Sequence, residues 1–169
     1  FGTIFQPLFF NSEKNIKNTT MRANLKQLLE VPRRTLPLAE LKISKLDKVS
    51  GIQLALINSD FPTGPLPEQV MRDVIAKPAY WAFCWGDGLA LAQWLTNEPK
   101  VVETKRVADV GSGSDVAAIA AKQAGAARVW ACDNDKHALL ATKTNAELNQ
   151  VDIELCANIN DLPKTWISF

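Results

Sequence analysis

The chain of 169 residues has a single histidine and three cysteines, and each scarcity closes off some chemistry. His137 alone supports neither a multi-histidine mechanism nor a histidine metal centre, and it reads as a surface residue. Cys84, Cys132 and Cys156 share no Cys-x-x-Cys spacing and none lies near His137 in sequence. No metal site is therefore expected. Their apolar surroundings suggest buried, reduced thiols of a cytosolic protein. No apolar run reaches the roughly 18 to 20 residues that a membrane span requires. Nineteen basic residues against 18 acidic ones leave a formal charge of +1, which gives no electrostatic case for nucleic acid or a membrane surface. The first fifty positions are a mildly basic arm. The chain also lacks an initial methionine, the first being Met21. Phe1 to Phe10 has no positive region before it and fits no signal peptide well. Residues 1–20 are accordingly expected to be an unstructured or non-native leader.

What the chain does have is concentrated in Val107-Ala-Asp-Val-Gly-Ser-Gly113. An apolar run carrying Asp109 feeds into Gly111 and Gly113, and a helical pattern starts at Val116. Strand, glycine turn and helix N-terminus form the place where open α/β sheets bind nucleotide-like ligands. Gly111 can take a tight turn of positive φ, and Gly113 lets a ligand approach the backbone. Twenty residues beyond Gly113, a second strand pattern ends at Asp133, where an acid can accept hydrogen bonds from ribose hydroxyls. The dinucleotide fingerprint requires a third glycine where this chain has Val116, so that match fails. An NAD(P)-binding oxidoreductase domain is thus the disfavoured alternative. Asp109, two residues before the first glycine, instead suits a ligand bearing an ammonium group.

The stretch resembles the seven-strand, Rossmann-like, S-adenosylmethionine-dependent methyltransferases. Pro78-Ala-Tyr-Trp-Ala-Phe-Cys-Trp-Gly-Asp-Gly-Leu-Ala-Leu-Ala-Gln-Trp-Leu95, Ala124-Gly-Ala-Ala-Arg-Val129 and Thr144-Asn-Ala-Glu-Leu-Asn149 narrow the likeness. They are similar to the electron-transfer-flavoprotein β-subunit lysine methyltransferases and their ribosomal-protein methyltransferase relatives. The resemblance implies a three-layer αβα fold with a parallel sheet of order 3-2-1-4-5-7-6. It implies S-adenosyl-L-methionine as cofactor and transfer of its methyl group to a protein lysine. The acceptor would be electron-transfer flavoprotein β-subunit or a ribosomal protein, in the cytoplasm, or in the mitochondrial matrix if the source is eukaryotic. Residue by residue, Asp109 would hold the methionyl end with the backbone of Gly111, Ser112 and Gly113. Asp133 would hold the ribose, and Asn158 or Asp161 the adenine amino group. Trp85 matches the tryptophan that lies against the cofactor in related enzymes, where an indole beside a sulfonium is favoured by cation–π attraction. Trp81 reads equally as core or site. No acceptor-side catalytic residue can be named.

The chain departs from the pattern at two places. Asp115 stands where the family carries a third glycine. There it would favour the following helix but repel the cofactor's carboxylate. The sequence also ends at Thr165-Trp-Ile-Ser-Phe169, where a fourth strand should begin. A C-terminally truncated domain with a bare edge on its first strand is the expectation, and an inactive cofactor-binding fragment is the second functional reading.

The remaining pattern organises the chain into the leader 1–20, an N-terminal helical and extended segment 21–77, and half of a methyltransferase domain, 78–169. Helices are expected at 22–30, ended by Pro32, at 67–76, 87–97, 116–124 and 136–149. Strands or extended segments are expected at 38–46 and 52–57, and strands at 106–110, 128–132 and 152–156. Strand and helix alternating from residue 106 make a right-handed parallel unit.

Overall fold

The structure, a computed structural model, describes residues 12–33, 39–49, 51–58, 65 and 67–168. Its organising element is a parallel sheet of four strands, β3 (Arg106–Val110), β4 (Arg128–Cys132), β5 (Glu154–Cys156) and β6 (Ile167–Ser168), in the order β5-β4-β3-β6. Helix α4 (Val116–Gln123) joins β3 to β4, and α5 (Lys136–Leu148) joins β4 to β5. Both crossovers step the same way along the sheet, and right-handed connection then places both helices on one face. The result is the Rossmann-like α/β fold, with a strand order that corresponds to 3-2-1-4.

Alternation along the strands divides the core. Val107, Val129 and Ala131 face Ala118, Ile119 and Ala121 of α4 and Ala92 and Leu95 of α3 (Gly86–Asn97). Small residues along α4 let it lie close to α3. Gly88 is one reason: a Cβ there would come within 3.2 Å of Val116 Cγ1. The other face presents Ala108, Trp130, Cys132 and Cys156, packed against Leu162 and Trp166. Trp130 lies between two guanidinium groups, those of Arg106 at 5.3 Å and Arg128 at 4.7 Å from its ring centre. Arg128 also makes a bidentate pair with Glu154 of the neighbouring strand.

The expected bare edge of the first strand is corrected here. Ile167 and Ser168 pair with Val107 and Ala108, so a two-residue strand already covers the start of β3. Arg106 Nη1 donates to Thr165 Oγ1 at 2.7 Å and fixes the approach of that segment.

The two extended segments of the N-terminal part become an antiparallel hairpin, β1 (Leu41–Lys45) and β2 (Gln53–Ile57), closed by a turn through Gly51. Leu54 and Leu56 enter the core beside α3 and α4. Helix α1 runs from Ser12 to Arg33, longer at both ends than the sequence pattern suggests, and Pro32 sits within it. A proline in the last turn forfeits one amide hydrogen bond. The turn survives because Pro32 is buried and because Leu28, one turn back, packs with Trp81, Ala138 and Ala141. The stretch expected as leader is therefore helical from Ser12, and residues 1–11 lie outside those described. Helix α2 (Glu68–Ala76) begins after Pro67, one position later than expected, and has no buried side chain.

Candidate cofactor site

Strand β3 ends at Val110 and the chain turns through Gly111 at φ +77° and Gly113 at φ +50°. Both values lie in the left-handed region that glycine enters without steric cost. The amides of Gly111 and Ser112 donate to the carbonyl of Cys132, at 2.8 and 3.1 Å, which ties the turn to the end of β4. Beyond the strand ends opens a cleft of about 470 Å³ lined by Gly111, Cys132, Asp133, Asn134, Asn158 and Ile159. In open parallel sheets ligands bind at this carboxyl end.

Asp133 supports the cleft as well as lining it. Its Oδ2 accepts from the amide of Gly113 at 3.2 Å and its Oδ1 from the amide of Asp135 at 2.9 Å. One carboxylate thus holds the glycine turn against the start of α5, and each oxygen keeps a further lone pair for a ligand hydroxyl. Asp135 caps α5 in turn, accepting from the amide of His137 at 2.8 Å. His137 is a partly exposed surface residue in the first turn of α5, beside Asp135.

Asn158 ends the loop after β5. Its Oδ1 accepts from the amide of Asn160, and its carbonyl accepts from the Cys156 thiol at 2.9 Å. Asp161 lies at the far end of the following 3-10 turn, Ile159–Asp161, and is exposed outside the cleft lining. Of the two alternatives, only Asn158 is brought to the cleft. Cys132 stands opposite Cys156 in the β4–β5 register. Burial, followed by the hydrogen bond with Cys156, pushes the Cys132 thiol up to about 12, and all three cysteines are free.

Asp109 lies beneath the turn, 8% exposed. Its Oδ2 accepts from the amide of Ala118 at 3.2 Å. Burial raises its pKa to about 6; the Ala118 hydrogen bond works in the opposite direction and the nearby Asp133 charge adds to the rise. Ser112 is buried, its hydroxyl 3.4 Å from that of Thr142.

Asp115 corrects an expectation. It is fully buried at φ +71°, and among the described residues neither carboxyl oxygen has a hydrogen-bond partner. It precedes α4 without capping it. Burial, and then the charge of Asp109, raise its pKa well above the ordinary carboxyl range. The shift favours the protonated form, which weakens both effects expected from its position, repulsion of a ligand carboxylate and support of the helix dipole. Its left-handed backbone explains why glycine suits this place.

Trp85 is not brought to this cleft. It stands just before α3, half exposed, with Nε1 donating to the carbonyl of Tyr80 at 2.9 Å. It lines a separate groove of about 1530 Å³ with Tyr80, Phe83 and His137. Trp81, which reads equally as core or site in the sequence, lies in the 3-10 turn Tyr80–Ala82 and is buried core.

Three participants escaped the sequence reading. Ile159 and Val110 are exposed apolar side chains on the cleft wall. An isoleucine inside the polar run Asn158–Asp161 was the signal available. The third is Asn145, whose buried amide donates to the carbonyl of Ser114 at 2.9 Å. It lies in a segment noted only for its resemblance.

Several known proteins are similar to this chain. Residues 90–167 match a family model described as ribosomal protein L11 methyltransferase (PrmA). The electron transfer flavoprotein beta subunit lysine methyltransferase of Danio rerio is 44% identical over 81 residues, 48% of this chain and 31% of that protein. Its Homo sapiens counterpart is 47% identical over 73 residues, 43% of this chain and 28% of that protein. The crystal structure of ribosomal protein L11 methylase from Lactobacillus delbrueckii subsp. bulgaricus superposes with a TM-score of 0.42 at 37% identity, covering 47% of this chain and 42% of that one. The resemblance to this methyltransferase group is borne out in sequence, and the matched part spans about a third or less of those two curated relatives.

Proposed function

We propose that the chain carries the S-adenosylmethionine-binding half of a methyltransferase whose acceptor is a protein lysine. The observation that supports it most is the meeting of Gly111, Asp133 and Asn158 around one cleft at the strand ends, with Asp109 buried under the turn. These residues suit the cofactor. Asp133 has lone pairs to spare for ribose hydroxyls, Asn158 offers an amide to the adenine edge, and Ile159 and Val110 supply an apolar wall. Asp109 in its ionised form would pair with the ammonium of the methionyl end. Bound there, the cofactor supplies a methyl group already activated by its sulfonium, so the protein's task is orientation of the acceptor and removal of its proton.

The names of the relatives favour electron-transfer flavoprotein β-subunit or ribosomal protein L11 as acceptor. A cytoplasmic setting, or the mitochondrial matrix in a eukaryote, belongs to the same proposal. The dinucleotide alternative is disfavoured because Val116, at the third-glycine position, is a buried helical residue against Gly88.

Calorimetry with S-adenosylhomocysteine and with NAD tests the binding step. Micromolar binding of the first and none of the second is expected. The reverse result would sink the reading. A labelled-methyl assay on the two candidate acceptors tests the second step.

A further inference from the structure

We propose that Asn145 is a positioning residue that couples the glycine turn to the N-terminal hairpin, so that a ligand on residues 111–115 tightens the docking of β2. The proposal rests on the cofactor reading for its ligand, and on the hydrogen-bond network alone for the coupling.

Strand β2 has β1 on one edge and, on the other, a helix. The outward amides of Gln53 and Ala55, two residues apart, would meet a third strand in an ordinary sheet. Here they meet asparagines. Asn149 Oδ1 accepts from the Gln53 amide at 2.9 Å, and Asn149 Nδ2 donates to the Gln53 carbonyl at 2.6 Å. Asn145 Oδ1 accepts from the Ala55 amide at 2.8 Å. Residues four apart share a helix face, so α5 presents a two-rung substitute for a strand.

Asn145 differs from Asn149 in reaching both ways. Its Nδ2 donates to the carbonyl of Ser114, inside the turn that the cleft is built on. A flipped amide would set donor against donor at Ala55 and acceptor against acceptor at Ser114, so the network itself fixes the orientation. The side chain is fully buried, so water cannot replace either bond when one is lost. Thr142, on the turn of α5 before it, is likewise buried and meets Ser112. One helix face therefore reads alternate residues of the glycine turn on one side and alternate amides of β2 on the other. Any ligand that narrows the positions open to Ser114 narrows those open to Ala55, and coupling of this kind is reciprocal.

Amide hydrogen exchange tests it without and with a ligand. Asn149→Ala releases Gln53 and one of the two donors to the Asn145 carbonyl, neither of them in the turn. Exchange at the amides of Gly113 and Asp115 should nevertheless accelerate in this variant, and unchanged exchange there overturns the coupling. In the parent chain, saturating S-adenosylhomocysteine should slow exchange at Ala55 by at least about fivefold. Asn145→Asp, which keeps an acceptor for Ala55 but loses the donor to Ser114, should abolish that protection. Calorimetric binding of S-adenosylhomocysteine with no change at Ala55 also overturns the proposal. Absence of binding removes the cofactor reading instead, and the Asn149→Ala comparison still decides the coupling.

Discussion

Asp109, from the end of β3, caps helix α4 through the amide of Ala118, while Asp115, the residue that immediately precedes the helix, does not. The usual capping geometry needs an extended residue whose side chain turns back on the first amides. Asp115 is left-handed instead, and its carboxyl is enclosed beside that of Asp109 without a partner. Two acids thus converge on one helix start, and burial favours a proton on each.

The pH dependence of stability follows from Asp109. Its folded pKa of about 6 stands above the ordinary 3.8. A raised acid contributes stability that is full below about pH 4 and is lost as pH rises through about 6. Asp109→Asn keeps an acceptor for Ala118 and cannot ionise. It should match the parent near pH 4 and exceed its stability at pH 7.5 by up to about 3 kcal/mol. Urea denaturation at the two pH values checks this, and a constant difference would show that the charge is not buried at a cost. The same variant should lose S-adenosylhomocysteine affinity.

Asp115→Gly should stabilise the chain. It relieves a non-glycine left-handed residue and removes an unpartnered buried carboxyl, effects of roughly 1–3 kcal/mol each, partly offset by the greater freedom of glycine when unfolded. A higher thermal midpoint is expected, growing toward alkaline pH, where ionising Asp115 costs most. Tighter S-adenosylhomocysteine binding should accompany it through a better-ordered turn. A lower midpoint would mean that a polar partner, such as water, satisfies the carboxyl.

Asp133→Ala removes two backbone acceptor contacts together with the ribose contact. Loss of a hydrogen bond to a charged group costs roughly 1.5–3 kcal/mol, or tenfold and more in affinity. Calorimetry should show at least that loss, and exchange at the amide of Gly113 should rise. Unchanged affinity would reduce Asp133 to a brace for the turn.

Trp85→Ala separates resemblance from geometry. The indole stands outside the cleft with its N–H engaged by Tyr80. S-adenosylhomocysteine affinity should therefore stay within about twofold, less than 0.5 kcal/mol. A tenfold loss would show that the segment 80–85 rearranges when the cofactor binds.

Local pattern was enough for the alternating strands and helices from residue 106, for the glycine turn and for the acid at the end of β4. Their periods and turn residues act within a few positions of one another, so β3, β4, α4 and α5 appear within a residue or so of where the sequence places them. Local pattern failed where a distant contact overrides propensity. Helix α1 runs past its expected end at Pro32 because Leu28 is anchored on α5, and no signal near Pro32 reports that. The start of β3 is covered because Arg106 and Thr165, 59 positions apart, meet.

The candidate site divides the same way. The sequence by itself determined that glycines and two acids stand at a strand-to-helix turn, since each residue type suits its backbone there. Only the tertiary structure decided that Asn158, not Asp161, reaches the cleft, that Trp85 stays outside it, and that Asp115 turns inward and goes unpaired. It also decided that Asn145 joins the turn to the hairpin, spanning 31 positions to Ser114 and 90 to Ala55. The physical reason is that a hydrogen bond or a buried charge is a property of two groups and the space between them, and residue spacing records only neighbours close along the chain.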